Sequence, residues 1–139
     1  MYLKELSIEG YKNFGPTSTI RFGKGLNVLI GENGVGKSAI IDSIRLLLLE
    51  DEFGRSGISD TDFHRPFRAG ASASDFIKIR ATFGELSDEE TIAFLPWTQL
   101  NTEASLTLQI DNKLNNKERY KRVIWGGESR SSIFDWEVL

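Results

Sequence analysis

The chain has 139 residues, no cysteine, and a net charge of −3 from 17 basic and 20 acidic side chains. This balance excludes a disulfide scaffold, a thiolate metal site and a globally basic nucleic-acid binder. With 40% hydrophobic and 11% aromatic residues, it also excludes a disordered chain. The length fits one domain, or a piece of a larger one. The N-terminus is charged within five residues and lacks the apolar stretch of a signal peptide. The longest apolar run, residues 46–49, is far too short to cross a membrane. A cytoplasmic protein is the expectation.

In chain order, Leu3, Leu6 and Ile8 interleave with polar residues and predict a strand over residues 2–9. Residues 10–16 are punctuated as a loop by Gly10, Gly15 and Pro16. The β-rich run 17–22 is expected to pair back as a hairpin, and residues 23–25 to form a tight turn. The apolar run 26–30 reads as a short buried strand. Residues 38–50 read as a helix, with Ile40, Ile41, Ile44, Leu47 and Leu48 forming the stripe that packs on the sheet. Gly54 is expected to stop it. Residues 51–75 are loop-like, and 76–83 alternate as a strand. Ser87 and Glu90 form a capping box at a helix start. Residues 104–111 alternate as a strand, 112–116 turn, and 120–125 return as its hairpin partner until Gly126 and Gly127 break it.

Between the strand at 26–30 and the helix at 38–50 stands Gly31-Glu32-Asn33-Gly34-Val35-Gly36-Lys37-Ser38, which fits the P-loop pattern G-x-x-x-x-G-K-[ST]. Strand, Gly-rich loop and helix are the arrangement the chemistry requires. Glycines at 31, 34 and 36 let the backbone curl and turn its N–H groups inward. The helix N-terminus adds free N–H groups and partial positive charge. Lys37 is expected to reach the β- and γ-phosphates of ATP, and the Ser38 hydroxyl to join a Mg²⁺ shell. The G-x-x-G-x-G spacing fits a dinucleotide site poorly.

Residues 46–52, four leucines followed by acids, imitate a Walker B motif. They begin nine residues after Lys37, whereas a parallel crossover needs a dozen or more. They therefore read as helix core ending in acids. Residues 133–137 lack the apolar run, so no Walker B is found. His64, the only histidine, cannot build a zinc site alone and reads as a packing or loop residue. Lys113, Lys117, Arg119, Lys121 and Arg122 form a basic turn and strand, read as a solvated hairpin with nucleic-acid backbone contact as the alternative. Gln99 is a candidate for a Q-loop glutamine. Tyr11 and Phe14 are expected either in the core or stacked near adenine.

Residues 6–14 and 26–38 together resemble the N-terminus of ABC-type ATPases of the SMC/RecF kind. Asp62-Phe63-His64, residues 79–87 and residues 124–128 bring the chain nearest to the overcoming-lysogenization-defect (OLD) family of ATP-dependent endonucleases. The resemblance implies an α/β fold: the N-terminal half of an ABC/SMC-type P-loop NTPase with an antiparallel β-subdomain. It implies a homodimer or higher homo-oligomer through the ATPase, and DNA as a partner of the full protein. Walker B, signature and switch residues and a metal-dependent Toprim nuclease, with a role in defence against phage, would lie downstream. Residues 1–139 are thus expected to be the N-terminal portion of a larger protein. The family often has Arg where this chain has Lys12, which Lys cannot replace as a bidentate donor. The alternatives are a RecF/SMC-like repair ATPase without nuclease and a nucleotide-binding regulator that never hydrolyses.

Overall fold

The computed structural model describes residues 1–32, 36–48, 58–98, 102–128 and 133–134. Its main feature is a six-stranded antiparallel sheet. The strands are β1 (Tyr2–Glu9), β2 (Ser18–Arg21), β3 (Phe76–Gly84), β4 (Ala104–Leu114), β5 (Tyr120–Gly126) and β6 (Ile133–Phe134), in the order β2-β1-β3-β4-β5-β6. Helix α1 (Lys37–Leu48) lies in the long connection between β2 and β3, and the short α2 (Asp88–Ala93) follows β3.

Register explains the core. Ile8 pairs with Ile79, Ile79 with Leu108, and Leu108 with Ile124, so one apolar row crosses four strands. Leu6, Ala81, Leu106 and Gly126 form the next row on the same face. Leu6, Ile8, Ile77, Ile79, Leu108 and Ile110 are fully buried there, with Leu47 of α1 packed among them. Period-two alternation puts polar residues on the opposite face. That face carries the row Ser7, Arg80, Thr107, Trp125. The Arg80 guanidinium pairs with Glu128 and reaches the Ser105 hydroxyl, and the Lys78 ammonium lies 5.8 Å from the centre of the buried Trp125 ring.

Strands β1, β2, β3, β4 and β5 fall where alternation predicts them. The capping box is present: the Ser87 hydroxyl accepts from Glu90 N–H and the Glu90 carboxylate accepts from Ser87 N–H. That bond holds the Glu90 carboxyl below its ordinary pKa. β4 runs to Leu114, three residues past the predicted end.

Two expectations fail. Residues 26–30 do not form a strand, and they are exposed: Leu26 and Ile30 at 90% and Val28 at 67%. The apolar run is the mark of a strand buried on both faces, but among the described residues no strand lies beside it. The predicted helix stripe holds for Ile40, Ile44 and Leu47 and fails for Ile41 and Leu48. α1 buries Ala39, Ser43 and Leu47, with Ile40 and Ile44 partly buried, while Ile41 and Leu48 are exposed. Ser43 can enter the core because its hydroxyl donates to the Ile40 carbonyl at 2.7 Å. Leu46, Leu47 and Leu48 are helical, so the Walker B imitation is helix in its described part. Gly54 and Gln99 lie outside the described residues.

Candidate functional site: the phosphate loop and its surroundings

The approach to the loop is fixed at its base. The Asn27 amide side chain donates to the carbonyls of Gly23 and Gly25 and accepts from Gly23 N–H, closing the tight turn in which Gly25 has φ +78. Lys24, in that turn, pairs with Glu85 just past β3. The chain then runs through exposed residues 26–32 to the loop. Asn33, Gly34 and Val35 lie outside the described residues.

The exit is well defined. Gly36 has φ +99, a conformation that strains any residue with a Cβ. A Cβ there would also sit 3.2 Å from Phe14 Cζ. Lys37 opens α1, and the carbonyl of Gly36 accepts the first helical bond from Ile40 N–H at 3.0 Å. The Lys37 ammonium folds back and donates to the Gly31 carbonyl, so the two ends of the loop are joined across its arc by a cation. No acidic residue occupies the first turn of α1. The N–H groups of Lys37, Ser38 and Ala39, ahead of that first bond, have no intrahelical acceptor, and the helix dipole adds positive charge beside them. The Ser38 side chain stands exposed in the same turn. Gly31, Gly36, Lys37 and Ser38 thus bring a cation and a hydroxyl to a helix N-terminus whose first turn carries no carboxylate, features that suit an anion.

The turn at residues 10–15 packs against this exit, a feature the sequence does not announce. Tyr11 and Phe14 exchange backbone hydrogen bonds at 2.9 and 2.8 Å, and Gly10 N–H donates to Gly15 O at 3.0 Å. Lys12, at the turn's corner, has φ +48. Its ammonium lies 2.8 Å from the Asp42 carboxylate on α1 and 5.2 Å from the Tyr11 ring centre. The bond to Asp42 raises the Lys12 pKa above its ordinary value, against a smaller opposing effect of burial. Burial is the main cause that raises the Tyr11 phenol. Tyr11 is buried in the core and Phe14 packs at its edge.

His64 is a structural residue, as expected. Its backbone N–H donates to Gly10 O at 2.9 Å and its Nδ1 donates to Lys12 O at 2.7 Å. The ring packs against Gly15, where a Cβ would fall 2.6 Å from Nε2. Phe63 is buried against Tyr120, with ring centres 5.0 Å apart.

The basic hairpin divides in two. Lys113, Lys117, Arg119 and Lys121 are exposed near its tip. Arg122 points inward instead and donates to the Leu47 carbonyl at 3.3 Å, at the C-terminus of α1 where a cation is favoured. Among the described residues, no three His, Cys, Asp or Glu side chains converge on a metal site, and no helix is long and apolar enough to cross a membrane.

Comparison with known proteins agrees with this geometry. A family profile described as "AAA domain" matches residues 5–135. The Smc chromosome partition protein of Mycobacterium tuberculosis is 40% identical over 50 residues, covering 36% of this chain and 4% of Smc. The DNA replication and repair protein RecF of Francisella tularensis subsp. novicida is 25% identical over 147 residues, covering 98% of this chain and 39% of RecF. The chain therefore spans well under half the length of these relatives. Among solved structures, an SMC ATPase described by its ATP-driven dimerization and DNA-stimulated activation superposes with a TM-score of 0.61 at 18% identity, covering 94% of this chain and 74% of that one. The chain belongs to the AAA-domain family, and its α/β fold is that of an ABC/SMC-like P-loop ATPase head.

Proposed function

We propose that residues 31–38 bind ATP with Mg²⁺, and that this chain is the N-terminal portion of an ATPase completed by sequence outside it. The carrying observation is the loop exit: the left-handed Gly36 leads into Lys37, whose ammonium donates to the Gly31 carbonyl and which opens a helix with no acid in its first turn. In this reading the backbone N–H groups of Gly31, Glu32, Asn33, Gly34, Val35 and Gly36 hold the phosphates. Lys37 would hold the β- and γ-phosphates, and the Ser38 hydroxyl would be the residue that holds Mg²⁺. Mg²⁺ would supply charge neutralisation at the phosphates. Lys37 would be the catalytic candidate of this half-site, because its ammonium would neutralise charge on the transferred γ-phosphoryl group.

The exposed Leu26, Val28 and Ile30 support the partial-domain reading, since a strand with this pattern needs neighbours on both sides. A homodimer is proposed because the SMC ATPase with this fold is described as dimerizing on ATP. In the full protein, ATP occupancy would gate a DNA-directed activity. The likeness of Asp62-Phe63-His64 and residues 79–87 to the OLD family favours a metal-dependent nuclease. The alignment with RecF over 98% of the chain favours the second reading, a repair ATPase without nuclease.

Calorimetry with Mg-ATP on wild type and Lys37→Ala tests the half-site. Binding is expected to be lost in the variant without loss of fold, because Lys37 lies at the loop and outside the core. Unchanged affinity removes the proposal. Plasmid nicking by the intact protein with Mg²⁺ separates the two readings: cleavage supports the nuclease, and ATP turnover on DNA without cleavage supports the RecF-like reading.

A further inference from the structure

We propose that the turn at residues 10–15 is a strut that holds the exit of the phosphate loop at Gly36, with Phe14 as its positioning residue. The inference rests on the reading of residues 31–38 as an ATP site and concerns how this chain holds that site in shape.

The loop has an intrinsic weakness. Its glycines give the backbone the freedom to curl, and the same freedom lets it uncurl. Its entry gives little support, because residues 26–32 are exposed. Something outside the loop must hold its exit, and the Phe14 ring is placed to do so. Cζ and Cε2 lie 3.2 and 3.4 Å from the point where a Cβ of Gly36 would stand, so the ring packs directly on the Gly36 backbone at its left-handed residue.

A strut must itself be rigid, and this one is tied on three sides. Internally, Tyr11 and Phe14 exchange two hydrogen bonds, and Gly10 bonds Gly15. On the second side, Lys12 N–H donates to Asp62 O at 2.8 Å, while His64 bonds Gly10 through its backbone and Lys12 through its ring and covers Gly15. On the third side, Lys12 Nζ clasps Asp42, five residues along α1 from Lys37. Turn, loop and helix are therefore triangulated. Phe14 holds the loop's last glycine and Lys12 holds the helix that follows. The only histidine fixes the turn that carries both.

Each tie is short-range and geometrically specific, so the strut predicts effects on nucleotide affinity that general stability does not. In the intact protein, Phe14→Ala is expected to weaken Mg-ATP binding by about ten- to hundredfold, the scale of a one-ångström misplacement at a preorganised site. Phe14→Leu, which keeps an apolar group against Gly36, is expected to recover most of that loss. His64→Ala is expected to weaken binding less, and His64→Asn, whose amide can donate to Lys12 O in place of Nδ1, to restore it. Ile20→Ala is the control: this side chain packs against the core from β2 and is expected to lower Tm without changing ATP affinity.

Unchanged affinity in Phe14→Ala, with binding lost in Lys37→Ala, overturns the strut and leaves the ATP site standing. Unchanged affinity in Lys37→Ala removes the site and the strut together. An affinity loss in Ile20→Ala as large as that in Phe14→Ala overturns the strut as well, because it reduces the effect to stability. Should Phe14→Ala fail to fold, the His64 pair decides: equal affinity in His64→Ala and His64→Asn overturns the proposal, and restoration by Asn supports it.

Discussion

The sheet and the approach to the phosphate loop are built from similar residues and end in opposite states. Ile79 and Leu108 are fully buried, while Ile30 and Leu26 are 90% exposed. The difference lies in what each segment needs. Alternating residues give the sheet one apolar face and a second that mixes charged side chains with the buried Thr107 and Trp125, so β1, β3, β4 and β5 satisfy one another within this chain. A strand that is apolar on both faces needs neighbours on both sides and a layer above and below. Among the described residues nothing supplies them for 26–30. The sheet meets its own pairing needs within the described residues, and the loop approach does not.

The largest expected effect that tests this contrast is in the sheet. Ile79→Ala removes a fully buried side chain between Ile8 and Leu108 and is expected to cost about 2–5 kcal/mol in unfolding free energy, measured by urea titration. A loss below 1 kcal/mol, on the same scale, would mean that the sheet is loosely packed and the contrast overstated.

A smaller effect is expected on the polar face. The Arg80 guanidinium holds the Glu128 carboxyl below the ordinary carboxylate range. A depressed carboxylate contributes stability that is present above its unfolded pKa and lost as pH falls through the folded value. The pair is more than a third exposed, so Glu128→Gln is expected to cost at most about 1 kcal/mol at neutral pH, and the cost should vanish under strongly acid conditions. A loss that grows toward low pH would reverse the assigned sign.

The smallest effect sharpens the comparison most. Ile30→Ser on this chain alone is expected to change stability by less than about 0.5 kcal/mol, because the side chain is already in solvent. In the intact protein the same substitution is expected to destabilise by about 2 kcal/mol or more, if strands from the remaining sequence cover it. Thermal melts of both forms measure this. Equal, negligible effects would break the partial-domain reading.

Particular residues show how far the sequence reached. The alternating strands that carry Ile8, Ile79 and Leu108 were legible because alternation is a local property, though the row that joins them was not, and the Ser87 and Glu90 cap was legible because it needs only a spacing of three. The glycines and Lys37 of the phosphate loop were legible for the same reason. The face of α1 was not. Its apolar arc is wider than the strip that meets the sheet, so Ile41 and Leu48 were free to face solvent, and Ser43 went inside after satisfying its own hydroxyl.

The sequence by itself determined the strands of the sheet, the helix after Lys37 and the residue types that suit a phosphate. These follow from periodicity and from the conformational freedom of glycine, which are properties of neighbours along the chain. Only the tertiary structure decided that Phe14 rests on Gly36, that Lys12 clasps Asp42, that His64 locks the turn between them and that Arg122 caps α1. Each of those contacts joins residues 22 to 75 positions apart. No local pattern encodes such a separation, because it is set by how the sheet stacks its connections on one face.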